Sequence, residues 1–137
     1  DKAVLPGAIF ENATLRHSSL RHANSLSVDF TKADLVEADL TDANLAGGAA
    51  IGADLSRANL SQAKMMMVDL STSRLVAATF SKAIVFGTVF EGADLSDADL
   101  HAAEGLTRAQ LESAYGNRGS RLPEAFAGYV MTEPPAP

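Results

Sequence analysis

Large apolar residues return at every fifth position of this chain. Counting from Leu5 to Leu100, eighteen of twenty such positions are Leu, Phe, Met or Val, and the two exceptions are Ser25 and Ala50. The residue two places earlier stays small. It is Ala in fourteen cases, and otherwise Ser18, Val28, Gly48, Val68, Ser73 or Thr88. Between the two there is often Asp or Asn, as in Ala33-Asp34-Leu35, Ala38-Asp39-Leu40 and Ala43-Asn44-Leu45. A period of five fits neither the 3.6 of a helix nor the 2 of a strand. A helix would spread these positions around all its faces, and a strand would alternate them between two. The chain must turn a corner every five residues, with the large and the small residue both pointing inward.

The unbroken frame from about residue 3 to 104 resembles the pentapeptide repeat proteins. That resemblance implies an all-β fold, a right-handed quadrilateral β-helix with four phrases per coil and about five coils. An internal check supports it. With twenty residues per coil, positions twenty apart stack in columns. One column is Leu15, Leu35, Leu55, Leu75 and Leu95, and the next is Leu20, Leu40, Leu60, Phe80 and Leu100. A third is Phe10, Phe30, Ala50, Leu70 and Phe90. Five coils at a spacing of roughly 4.8 Å give a rod about 24 Å long. A filled tube leaves no interior pocket for a substrate.

The frame ends at Glu104-Gly105, which divides the chain into a β-helix over 1–104, a capping helix and turn over 105–122, and an extended Pro-rich tail over 123–137. Thr107 with Gln110 three residues later is a capping-box pattern, and Leu106 and Leu111 stand where a hydrophobic staple pairs them. The pattern predicts a helix over 108–115, with Gly116 as its left-handed C-terminal residue. Leu111, Ala114 and Tyr115 then cover the open end of the tube. Bacterial pentapeptide repeat proteins look similar here, with Leu-Thr-x-x-Gln-Leu followed by Leu-Pro, matched by Leu106–Leu111 and Leu122-Pro123. No comparable cap precedes the first coil. That end is completed by residues beyond Asp1, masked by self-association, or protected by an irregular segment 1–7. The start at Asp1-Lys2 without Met reads as a processed or trimmed form.

Composition narrows the function. The 137 residues carry a net charge of −6, with 47% hydrophobic but only 6% aromatic residues. This acidic balance argues against direct nucleic-acid binding and against electrostatic attachment to an anionic membrane. No apolar run reaches the length of a membrane span. The absence of cysteine excludes disulfides and thiolate metal sites and fits any compartment. His17 and His22 occupy equivalent outward positions on adjacent sides, but a metal site wants three or four ligands. The many Ser and Thr after the centres sit at corners where hydroxyls bond local backbone, and none has a recognisable base beside it. An enzyme is not indicated, nor is a metal or other cofactor.

Two surfaces remain. The fourth column, Leu5, Ser25, Leu45, Met65 and Val85, is followed by outward positions that include Leu26, Met66, Met67 and Phe86. This side is apolar and nearly uncharged, which marks a contact surface for a protein partner or a homodimer. The alternative is local distortion, with Leu26 replacing Ser25 inside and Met66 folding back. Phe126 and Tyr129 in the tail are a second candidate contact. The other surface is acidic: Asp34, Glu37, Asp39 and Asp42 at one end, Asp94 and Asp97 at the other. The family resemblance gives it a meaning, because some relatives mimic duplex DNA and bind type II topoisomerases such as DNA gyrase. Against that stand the shortness of the rod, the modest net charge, and Arg57, Lys64, Arg74 and Lys82 between the clusters. The first reading is a non-catalytic interaction scaffold, and the alternative is a DNA-mimicking topoisomerase modulator.

Overall fold

The protein, described as a computed structural model over residues 1–136, is a right-handed quadrilateral β-helix closed at its C-terminal end. Parallel bridges join residues twenty apart without interruption, from Val4–Asn24 to Ile84–Glu104. Each corner is a turn in which the N–H three residues on donates to the carbonyl of the centre, as in Ala58 to Leu55 at 3.0 Å. The second residue after each centre from Leu5 to Leu95 has a positive φ, 54° to 69°, as does Lys2. That is the conformation a type II turn demands, and here fifteen non-glycine residues adopt it. The Asp or Asn before the centre supports the corner from outside. Its Oδ1 accepts the N–H two residues on, as for Asp29 and Thr31 at 2.8 Å and Asp69 and Ser71 at 2.9 Å. The five-residue phrase therefore closes its own corner, and the next coil supplies the ladder.

We number the corners by their centres. The first holds Leu5, Ser25, Leu45, Met65 and Val85; the second Phe10 to Phe90; the third Leu15 to Leu95; the fourth Leu20 to Leu100. Centres from the second coil onward are buried, and the Ala residues beside them form part of the same core. Phe10 and Phe30 stack at 5.4 Å between centroids, while Phe80 and Phe90 meet edge to face at 6.2 Å. An interior void of about 20 Å³ lies beside Ala50, where its column otherwise holds Phe or Leu. Gly48 cannot fill it, because a Cβ there would stand 2.8 Å from the Val28 carbonyl.

The C-terminal end departs from the sequence expectation in three places. Helix α1 spans Arg108–Ser113, ending two residues short of the expected limit. Its capping box is present, with Thr107 and Gln110 exchanging hydrogen bonds. Gly116 is not a left-handed cap, because Ala114 leaves the helix in an extended conformation and Tyr115 bridges Asp94 as a strand residue. Gly116 is small for a different reason: a Cβ there would lie 2.5 Å from Met131 Sδ. The segment read as an extended tail instead holds a 3₁₀ turn, Glu124–Phe126, a buried Met131 and a Tyr115–Thr132 bridge. Tyr115 and Arg121 continue two sides of the solenoid, and Thr132 adds a partial further layer.

Gln110 does more than close the helix. Its Nε2 donates to the carbonyl of Thr88 at 2.8 Å, which no backbone N–H reaches among the described residues, and at 2.9 Å to that of Val85, which also accepts the Thr88 N–H of its own corner. Ser120 Oγ does the same for Leu95 at 2.9 Å. The cap thus supplies donors to the last corners as well as apolar cover.

Candidate functional surfaces

The first corner keeps its apolar residues outside. Ser25 is 1% exposed, whereas Leu26 is 39%, Met66 41%, Met67 71% and Phe86 57% exposed. Leu26 has not displaced Ser25 and Met66 has not folded back, so the apolar strip is a true surface. The reason is the turn. The centre is fixed inward by the corner hydrogen bond, and at the first corner the following residue stays exposed, whereas Val36, in the same place on the third corner, is buried. Leu26, Ala46, Met66 and Phe86 succeed one another at the ladder spacing, about 14 Å from end to end. Phe86 lies against the Cα of Gly105, where a Cβ would come within 2.6 Å of its ring. The strip therefore runs from the second coil into the cap.

Holding Ser25 inside has a cost. Its hydroxyl is buried with no hydrogen-bond partner. Ser25→Ala is expected to stabilise the protein by about 1 kcal/mol, because an unsatisfied buried hydroxyl is removed. Urea denaturation checks this, and a lower midpoint would mean that the hydroxyl has a partner in solution.

Phe126 and Tyr129 are half-buried against the core, and the Arg108 guanidinium lies 5.2 Å from the centre of the Tyr129 ring. Much of their apolar surface is used within the cap. Val130, beside them, is an exposed large apolar residue of that loop.

The acidic cluster is on the third and fourth corners and does not stand alone. Arg16 meets Asp34 at 3.1 Å, Arg21 meets Asp39 at 3.0 Å, and His22 Nδ1 lies 2.9 Å from Asp42. Glu37 is held between Arg57 at 2.7 Å and His17 at 3.0 Å. The sequence reading weighed cations between the two acidic ends and missed those of coil 1, which lie one coil from their partners. At the other end Asp97 accepts from Asn117, and Asp94 accepts the Ser96 N–H. The two acidic groups are three coils apart and do not converge.

These contacts move the carboxylates. Arg57 donates to Glu37 and holds its carboxyl below the usual value, against an opposing loss of hydration and with help from the charges of Arg57, His17 and Arg16. Loss of surrounding water pushes Asp34 and Asp39 up, but this is outweighed. For Asp34 the Arg16 hydrogen bond, the Val36 N–H and nearby positive charge prevail; for Asp39 the Thr41 and Arg21 bonds do. A lowered folded value makes a contribution present above the ordinary carboxylate range and lost as pH falls below about 4 towards the folded value. Because all these pairs except Arg57–Glu37 tie coil 1 to coil 2, acid is expected to loosen coil 1 first. Hydrogen exchange, corrected for its intrinsic pH dependence, should show the Leu15 and Leu20 amides losing protection before those of Leu75 and Phe80. Equal loss along the rod would remove the clamp as an explanation.

The geometry defines a filled solenoid whose usable features lie on its outer faces. The chain belongs to the pentapeptide repeat family: a model of pentapeptide repeats, eight copies long, matches residues 8–47, 38–75 and 73–104. Among solved structures it is similar to a pentapeptide repeat protein from the Arabidopsis thaliana thylakoid lumen, at 26% identity, TM-score 0.73, over 95% of this chain and 85% of that one. It is also similar to a pentapeptide repeat protein from Nostoc Pcc 7120, at 28% identity, TM-score 0.55, over 92% and 91%. A likeness of fold extends to QnrB1 in trypsin-treated form, a plasmid-mediated fluoroquinolone resistance protein, at 24% identity, TM-score 0.51, over 93% and 66%. No sequence among the curated proteins matches. Among the described residues no helix is long and apolar enough to cross a membrane.

Proposed function

We propose that this protein is a non-catalytic interaction scaffold that presents its first corner to a protein partner or to a second copy. The observation that carries this reading is the exposed strip Leu26–Met66–Met67–Phe86 beside a centre column that stays buried. The ladder holds the backbone of the strip rigid, so binding costs side-chain freedom but no loop ordering. The interior gives a substrate no room, since its void is about 20 Å³ and lined by apolar groups. Met66→Asp with Phe86→Asp is expected to weaken association at least tenfold, as a charge would be buried at the contact. Sedimentation velocity reads self-association, and affinity capture against the parent protein reads partner binding. Association unchanged by the double variant would sink this reading.

A second reading, a DNA-mimicking modulator of a type II topoisomerase such as DNA gyrase, draws on the carboxylates of Asp34, Glu37, Asp39 and Asp42 along one side of a rod. Pairing of Asp34, Asp39 and Glu37 with Arg16, Arg21 and Arg57 weakens the field such a role requires. A gyrase supercoiling assay decides it: salt-sensitive inhibition, lost when these four carboxylates are changed to amides, would put this reading first.

A further inference from the structure

The chain has four methionines and no cysteine, so its oxidisable sulfur is all thioether. Three of the four are consecutive, and the first corner divides them. Met65 is the centre and is 1% exposed, whereas Met66 is 41% and Met67 71% exposed. Met131, the fourth, is 5% exposed within the cap. The turn does not call for a methionine at 67. Met67 takes the left-handed position, φ 59°, that Gly7, Ser27, Gly47 and Gly87 hold in the other coils of this corner. Its sulfur rests on the next coil, where a Cβ at Gly87 would come 2.5 Å from Met67 Sδ. The glycine covers one side of the sulfur and leaves the outward side open. Met66 stands between Ala46 and Phe86 in the ladder, in the middle of the apolar strip.

Two thioethers on a surface otherwise made of hydrocarbon have a chemistry that Leu26 and Phe86 lack. An oxidant of the peroxide class converts each to a sulfoxide. The sulfur lone pair attacks one peroxide oxygen and the O–O bond breaks. The departing hydroxide takes the proton of the transferred oxygen, so the products are sulfoxide and water. Sulfur is oxidised by two electrons and the peroxide is reduced by the same two. The return step needs a dithiol, which removes the oxygen as water and becomes a disulfide. That dithiol belongs to another molecule, because this chain has no cysteine.

We infer that Met66 and Met67 form a reversible oxidation site that switches the first-corner strip from apolar to polar. Met65 and Met131 are shielded by the core, so the exposed pair reacts without disturbing the fold. A sulfoxide oxygen is a strong hydrogen-bond acceptor, and an apolar partner that covers it leaves it unpaired. The consequence for binding rests on the reading of this corner as a contact surface. The site itself rests on the burial of the four sulfurs alone.

The test treats the folded full chain with hydrogen peroxide and assigns each added oxygen by fragmentation mass spectrometry, with circular dichroism as the check on folding. Met66 and Met67 should be oxidised at least about tenfold faster than Met65 and Met131. Retention on a phenyl-bearing matrix reads the polarity of the strip without any partner. The parent should be retained, and the oxidised parent should elute earlier. Met66→Leu with Met67→Leu keeps the strip apolar and should not respond to peroxide. Equal rates at all four methionines would overturn the proposal. So would a parent the matrix does not retain, retention unchanged by oxidation, or a leucine variant that loses retention as the parent does. Earlier elution on oxidation, with association indifferent to Met66→Asp with Phe86→Asp, would keep the oxidation site and remove the contact reading. Association weakened by those aspartates but untouched by oxidation would keep the contact and remove the switch.

Discussion

Phe80→Ala is expected to destabilise the protein by about 3–5 kcal/mol, near the upper end for a core truncation. Phe80 is fully buried at the fourth corner and meets Phe90 edge to face. The cost of such a cavity depends on how far the surroundings relax into it. Here they relax little. The residues beside it, Ala78 and Ala83, are too short to lean in, and the backbone is held by the Phe80–Asp99 and Thr79–Ala58 hydrogen bonds, both at 3.0 Å or less. Phe80→Leu should cost less than about 1.5 kcal/mol, because the rest of the column is Leu and the change nearly preserves shape. Urea denaturation of both variants is the measurement. A Phe80→Ala loss no greater than that of Phe80→Leu would show that the tube contracts around missing volume.

Leu111→Ala is expected to cost about 2–5 kcal/mol, and its effect should be local. Leu111 is the fully buried residue of α1 and belongs to the same apolar cluster as Val85, Phe90, Leu95 and Leu100. In a solenoid each coil touches only its neighbours, so damage at one end spreads weakly to the other. Hydrogen exchange should show the amides of Leu95 and Leu100, which donate to Tyr115 and Arg121 of the cap, losing protection. Those of Leu35 and Leu40 should keep it. Uniform loss along the rod would mean that the coils melt as one unit and that the cap is a nucleus rather than a lid.

The contrast between these variants and those on the first corner separates stability from function. Changing Met66 or Phe86 should move the denaturation midpoint much less than truncating Phe80, since 41% of Met66 and 57% of Phe86 is already exposed, while association changes. Phe80 and Leu111 should do the reverse.

The five-residue frame by itself determined the fold. Large and small inward residues at fixed spacing, with Asp or Asn bonding the corner, are local rules, and each corner is closed within its own phrase. Column sorting supported the four corners per coil that the family resemblance implied, and Thr107 with Gln110 placed the start of α1. Tertiary structure decided what the phrases do to one another. Arg16 and Arg21 pair with the acidic row, and His17 and His22 contact it, because coil 1 lies directly beneath it; the twenty-residue offset was legible, but side-chain reach across coils was not. Gln110 proved to serve the Thr88 carbonyl, whose counterpart in the coil below, that of Val68, is met by the Val89 N–H of the next coil. Gly116 made room for Met131 rather than ending a helix, because the tail returns to form a further layer. Whether Leu26 and Met66 faced inward or outward was also open, since composition favours burial. The corner hydrogen bond fixed the centre inside, and at the first corner its neighbour stays outside.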